Sequence, residues 1–241
     1  MAYRENPKTR GSGIICAIPQ AGECPMRCAD CFFQSGRSYL EPLAENLPNV
    51  PMISMTRGRV VRMNDGNDSN VDRMIVILAA QNCDDAFFNT SIPKDLDAFP
   101  RPVVLTVNPT DMTDKDAHFV TPCPPNLMFV RFRTNTWNLK LADDVVQHYT
   151  ERKVPVVLTF MAYYGETVPP EYAPDYSWRQ RTLNSYWVIT PDAWDRVKDR
   201  HHNNPLVYTC GKDANTHACS RCGNCLREYF ATKEKMRNAE K

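Results

Sequence analysis

Short apolar runs recur along the 241-residue chain with polar, helix-patterned stretches between them. The first run covers 12–18 and the second 57–63. Further runs cover 86–89, 102–107, 127–134 and 154–161, and each is β-branched or aromatic and bounded by turn residues, as strands are. Between the second and third runs, Val71, Met74, Ile75 and Leu78 recur at i, i+3, i+4, i+7 and predict one buried helical face, capped near Ser69 or Asn70. Between the fifth and sixth, Ala142, Val145, Val146 and Tyr149 predict another, with Asn138 at its start. A short helix is expected within 32–52, a brief one at 94–99, and one from Thr190-Pro191 to about His202. Six strands alternating with helical crossovers predict an α/β chain of parallel units. Six such units fit either a partial barrel or an open doubly wound sheet, and in both the ligand site lies at the carboxyl ends of the strands.

This pattern divides the chain into a loose arm (1–11), the β/α body (12–204) and a polar, cysteine-bearing element ending in a helix (205–241). Residues 162–190 interrupt it with Tyr163, Tyr164, Tyr172, Tyr176, Trp178, Tyr186 and Trp187, a lid over the strand ends or a loop against their flank. A net charge of +1 gives no global electrostatic case for a nucleic-acid partner. The opening residues have no apolar signal region, and no apolar run is long enough to span a membrane, so a cytoplasmic protein is expected. In that compartment ten cysteines point to metal rather than disulfides. Seven fall into two groups, 24/28/31 and 210/219/222/225. Cys16, Cys83 and Cys123 are expected to be small buried hydrophobes.

Cys24, Cys28 and Cys31 form a C-x3-C-x2-C triplet directly after the first strand. Three thiolates at this spacing can hold three irons of a [4Fe–4S] cubane and leave the fourth open, although cluster cysteines usually come in fours. A three-cysteine zinc knuckle completed by a distant residue is the alternative. The triplet and its place in a six-strand β/α chain resemble the radical S-adenosylmethionine superfamily. The 64–68 turn and the C-terminal cysteines together are similar to its small phage-encoded gene-product-88-like group.

The resemblance covers about 12–162 and implies a partial (βα)6 barrel with a small cysteine-rich C-terminal extension. It implies that S-adenosylmethionine chelates the open iron and is cleaved to a 5′-deoxyadenosyl radical that abstracts hydrogen from a substrate. Peptide, nucleotide and small metabolite all stay open as that substrate, and an electron donor such as flavodoxin or ferredoxin is implied. Where the family usually has an aromatic before the third cysteine, this chain has Asp30, with Phe32 and Phe33 following to pack near the adenine. Asn64, Asp65, Gly66, Asn67 and Asp68 stand where the family binds the amino group of the cofactor; the alternative is a turn with a helix cap. Arg131 and Arg133 share a strand face, and a buried arginine pair needs anions, such as the methionine carboxylate, unless both point to solvent. Thr106 and Asn108 are candidates for the ribose hydroxyls.

Cys210, Cys219, Cys222 and Cys225 make a four-cysteine set complete in itself. Its C-x2-C-x2-C run follows the ferredoxin pattern, so a second [4Fe–4S] cluster is expected ahead of zinc. His217 is near enough to replace a thiolate, and Lys212, Arg221 and Arg227 near enough to offset charge. Two other functions fit the same residues. One is a non-catalytic zinc-binding interaction module. The other is a radical enzyme acting on nucleotide or nucleic acid, with the aromatic stretch stacking bases.

Overall fold

A computed structural model describes residues 2–28, 31, 48–110, 112, 115–180, 185–211, 213 and 219–239. Asp30, Phe32, Phe33, Lys212, His217 and most of the expected 32–52 helix lie outside the described residues.

The chain is α/β, with a seven-stranded parallel sheet. Its strands are β1 (Ile14–Ala17), β2 (Val60–Met63), β3 (Asp85–Thr90), β4 (Val103–Val107), β5 (Leu127–Thr134) and β6 (Val156–Phe160), closed at the far edge by β10 (Val207–Thr209). They lie side by side in chain order with no reversal. A doubly wound sheet reverses its order at a switch point, so that alternative is removed. The seventh strand falls in the segment read as a polar C-terminal element, and it pairs with β6 from Val207↔Val156 to Thr209↔Leu158. Three residues with one apolar side chain per face are too short a run to register as a strand by pattern.

The two faces of the sheet are covered differently. On one, Ile15, Val61, Phe88, Leu105, Phe132 and Leu158 pack against Val76 and Ala80 of α2 (Arg73–Gln81), Ala142, Val145 and Tyr149 of α3 (Leu139–Glu151), and Val197 of α4 (Pro191–Asp199). The single turn α1 (Ile53–Thr56) precedes β2. On the other face, Val60, Phe87, Val104, Phe129 and Val157 pack against Tyr229 of α6 (Asn224–Ala239), with Cys225 and Leu226 beside it. A register shift opposite Val103/Val104 turns Leu127 to the first face and Phe129 to the second.

Three expectations are corrected. The buried face of α2 is Val76 and Ala80, while Met74, Ile75 and Leu78 are more than half exposed. A run this apolar on nearly every side carries no usable period, and its start after Asp72, in left-handed backbone at φ 51°, sets the rotation instead. The first residues are not a loose arm: Asn6 and Thr9 are buried, and the Tyr3 hydroxyl donates to the Cys16 carbonyl at 2.7 Å. Of the two readings of 162–190, a plain loop does not hold for the described residues. Within them β7 (Tyr163–Tyr164), β9 (Tyr186–Ile189) and β8 (Tyr176–Arg179) form an antiparallel sheet with its own core of Met161, Tyr163, Tyr176, Ile189 and Trp194. Among the described residues no helix is long and apolar enough to cross a membrane.

Candidate functional site at the carboxyl ends of the strands

The face that carries α6 has a two-layer pattern. On β2 through β6, an apolar side chain is followed two residues later by a polar one: Val60 and Arg62, Phe87 and Asn89, Val104 and Thr106, Phe129 and Arg131, Val157 and Thr159. Side chains two apart share a face. The face therefore has an apolar half, under α6, and a polar half nearer the carboxyl ends. Arg131 is bound within that polar half, donating to Thr106 Oγ1 at 3.3 Å and Asn89 Oδ1 at 3.4 Å. Arg133, one step nearer the strand end, is paired in register with Thr159. Its Nη1 and the Thr159 Oγ1 are buried with no partner among the described residues. A buried unsatisfied donor costs about 1–3 kcal/mol, so two side by side mark a place for an acceptor. Thr106 and Arg131 thus come together, while Asn108, just past β4, accepts the Met112 N–H with its carbonyl at 3.0 Å.

The 64–68 turn is built from both ends. Asp68 is buried and its carboxylate is saturated: Oδ1 accepts from Asn70 N at 2.8 Å and Thr90 Oγ1 at 2.7 Å, Oδ2 from Ser91 N at 2.6 Å and Ser91 Oγ at 2.9 Å. Asp65 accepts from Arg62 Nη2 at 2.5 Å and from Asn6 Nδ2. Asn67 Oδ1 accepts from Asp68 N at 2.9 Å. The acceptors expected to meet an ammonium group are therefore committed to protein donors, from β2, the end of β3 and the N-terminal segment. The exception is Asn64, in left-handed backbone at φ 57°, whose buried Oδ1 has no partner among the described residues. Gly66 lies between Asp65 and Asn67 in this turn, partly buried. Gln20 braces the turn from the cysteine side, donating to the Asp68 and Val71 carbonyls at 2.9 and 2.7 Å, and its own Oε1 is unpartnered among the described residues.

Both cysteine groups reach this turn. Burial pushes the Cys24 thiol up; the N–H groups of Met26 and Asp68 lie toward its sulfur, and Cys31 and the Asp68 carboxylate are close enough to sense its charge. Cys28 and Cys31 are joined at the backbone by the Cys31 N–H to the Cys28 carbonyl at 3.0 Å. At the other end, Cys210 follows β10, and Cys219 and Cys222 bound the one-turn α5 (Cys219–Cys222), with Cys225 in the first turn of α6. Burial raises the thiols of Cys219 and Cys225, the latter to about 12. Arg62, Asp65, Cys210 and Cys222 all act on Cys219, and Arg131, Arg62, Cys210 and Cys219 act on Cys225. A cavity of about 330 Å³ opens beside Cys222, lined by Leu158, Tyr208, Thr209, Arg221 and Asn224 among others.

None of the ten cysteines is joined in a disulfide. Among the described residues no three His, Cys, Asp or Glu side chains are grouped so as to hold a metal ion. Cys210 and Cys219 are close enough to Cys225, and Cys210 and Cys222 to Cys219, for their charges to be felt, with Arg62 acting on both. Of the three remaining cysteines, Cys16 is fully buried but lies in polar company, accepting from Arg62 Nη2 at 3.4 Å, while Cys83 and Cys123 are only half-buried.

The aromatic sheet sits over the end of β5. Asn135 donates to the Tyr163 hydroxyl at 3.1 Å, and the Thr136 N–H to the Tyr176 hydroxyl at 3.3 Å. Trp137 packs among Tyr163, Tyr172 and Tyr176 with ring centroids 5.0, 5.7 and 5.4 Å away. Arg62, Asn89, Thr159 and Gln20 are site residues that the motif reading missed. Their signal is a polar residue two places after an apolar one inside a strand, or, for Gln20, one just past a strand end. Comparison with family profiles, with curated proteins and with solved structures finds no match to this chain.

Proposed function

We propose that this chain is a radical S-adenosylmethionine enzyme built on a partial barrel. One observation carries the reading. Both cysteine groups, and the Arg133, Thr159 and Asn64 atoms that have no partner among the described residues, lie at the carboxyl end of a parallel sheet whose strands run in unbroken order. That order, with α2, α3 and α4 on one face, supports a partial barrel whose inner face is the one α6 half fills.

Cys24, Cys28 and Cys31 would hold a [4Fe–4S] cluster, which supplies the electron that opens the sulfonium of S-adenosylmethionine. Asn64 Oδ1 accepts from the ammonium of the methionine moiety. Arg133 Nη1 and Thr159 Oγ donate to its carboxylate, a charge-assisted arrangement. Arg131, already tied to Thr106 and Asn89, holds the polar layer in place rather than the ligand. The apolar layer and Tyr229 exclude water from below, and the β7–β9–β8 sheet covers the end of β5. Cys210, Cys219, Cys222 and Cys225 would hold the second cluster. The test is composition. Protein purified without oxygen should be brown and carry about eight irons with matching sulfide. Colourless protein with stoichiometric zinc contradicts the proposal and favours the interaction module.

A further inference from the structure

Gln20 follows the end of β1 and is only 4% exposed. Both hydrogens of its amide are used, because Nε2 donates to the Asp68 carbonyl at 2.9 Å and to the Val71 carbonyl at 2.7 Å. The opposite amide orientation would set an oxygen against two carbonyl oxygens, so these bonds fix which end is which. Its Oε1 is left as a buried acceptor with no partner among the described residues. Asn64 repeats the arrangement from the end of β2. Its N–H donates to the Ala17 carbonyl at 2.7 Å and its Nδ2 to Ser69 Oγ at 3.2 Å, while its buried Oδ1 has no partner among the described residues. The two amides are thus anchored on consecutive residues of one turn, Asp68 and Ser69, and each keeps one acceptor in reserve.

The charge of that turn decides which donor suits them. Asp65 is balanced by Arg62, at 2.5 Å. Asp68 is buried and held by Asn70 N, Thr90 Oγ1, Ser91 N and Ser91 Oγ, which are all neutral, and among the described residues no Lys, Arg or His pairs with it. Neutral donors hold a carboxylate but leave its charge, and a buried charge is stabilised by a cation nearby. An ammonium brings three hydrogens and a positive charge, so it can satisfy both oxygens; a hydroxyl brings one hydrogen and satisfies one. We propose that Gln20 Oε1 and Asn64 Oδ1 together seat a protonated primary amine, and that Gln20 makes the site select an α-amino ligand over its hydroxyl counterpart. Asp68 contributes charge rather than contact. This rests on the reading of the strand ends as a ligand site, in which Arg133 and Thr159 take the carboxylate of the same ligand, and no metal enters it.

The test uses the full chain purified without oxygen and two probes, S-adenosylmethionine and the analogue in which a hydroxyl replaces the amino group, each titrated by calorimetry. The unaltered chain is expected to prefer the amine at least about tenfold, and Gln20→Met to lose about tenfold of that preference, the scale of one hydrogen bond to a charged group. Asn64→Gly, which keeps the left-handed backbone, is expected to lose a similar factor. Each variant removes a brace of the turn and lowers the melting temperature, but a structural loss weakens both probes alike and leaves their ratio unchanged. If Gln20→Met does not fold, Gln20→Ala, which leaves room for water to bond the two freed carbonyls, carries the same expectation. A preference that stays within about twofold of the parent in the Gln20 variant overturns the role of Gln20. Equal affinity of the unaltered chain for the two probes overturns the amine seat and leaves the ligand site standing. No binding of either probe overturns both.

Discussion

Asp68→Ala should be among the most damaging single substitutions in the chain. Its carboxylate gathers four donors from three residues, and those donors tie the 64–68 turn to the end of β3. Alanine strands them. Thr90 Oγ can redirect to the Ile92 carbonyl at 3.5 Å, and the Ser91 hydroxyl is only part-buried, so both recover some of the loss. The N–H groups of Asn70 and Ser91 have no such second acceptor among the described residues. At about 1–3 kcal/mol for each stranded donor, and more where the lost acceptor was charged, the total is about 3–4 kcal/mol. Asp68→Asn keeps the Oδ1 interactions but turns an amide donor toward two donors, so about 2 kcal/mol is expected. Urea unfolding of the purified protein measures both, and in thermal melts the alanine variant should fall by about 10 °C. A loss below about 1 kcal/mol for Asp68→Ala would refute the claim that this carboxylate holds the turn.

Three further outcomes follow from other contacts. Val76→Ala should cost about 2 kcal/mol and Leu78→Lys less than about 0.5, the reverse of what the periodicity of α2 predicts, as urea titration will decide. Asp85 is pulled to and fro: burial raises its pKa, but hydrogen bonds from Lys233 and Tyr229 outweigh this and leave it lowered. Its stabilising effect is therefore present above about pH 4, the unfolded carboxylate range, and is lost as pH falls through the lower folded value, so Asp85→Asn should flatten acid unfolding there. Arg133→Gln should weaken S-adenosylmethionine binding at least tenfold by calorimetry while leaving the melting temperature unchanged; equal binding would remove Arg133 from the site.

The six long strands were legible because each is a β-branched or aromatic run between turn residues, and the α3 face because four apolar side chains sit among charges. The α2 face was not, since Met74, Ile75, Val76, Ile77 and Leu78 are consecutive and any rotation buries some of them. The cysteine spacings were visible as motifs. That both groups meet the same turn was not, because the approach depends on α5 (Cys219–Cys222) settling against Pro7–Thr9, a contact between segments more than 200 residues apart. Asp65 and Asp68 looked like ligand acceptors by position, but they accept from Asn6, Thr90 and Ser91, donors that only the fold brings to the turn. The alternation of apolar and polar residues on β2 through β6 was in the sequence throughout, but it acquires meaning only when the strands lie in order.

The central claim is reductive cleavage of S-adenosylmethionine at Cys24, Cys28 and Cys31. The direct measurement is chromatographic detection of 5′-deoxyadenosine after anaerobic incubation of reconstituted protein with dithionite and S-adenosylmethionine. It is expected to form, and to disappear in a Cys28→Ala variant while the C-terminal cluster signal remains. No 5′-deoxyadenosine from protein that carries its full iron, or equal amounts from the Cys28→Ala variant, would contradict it.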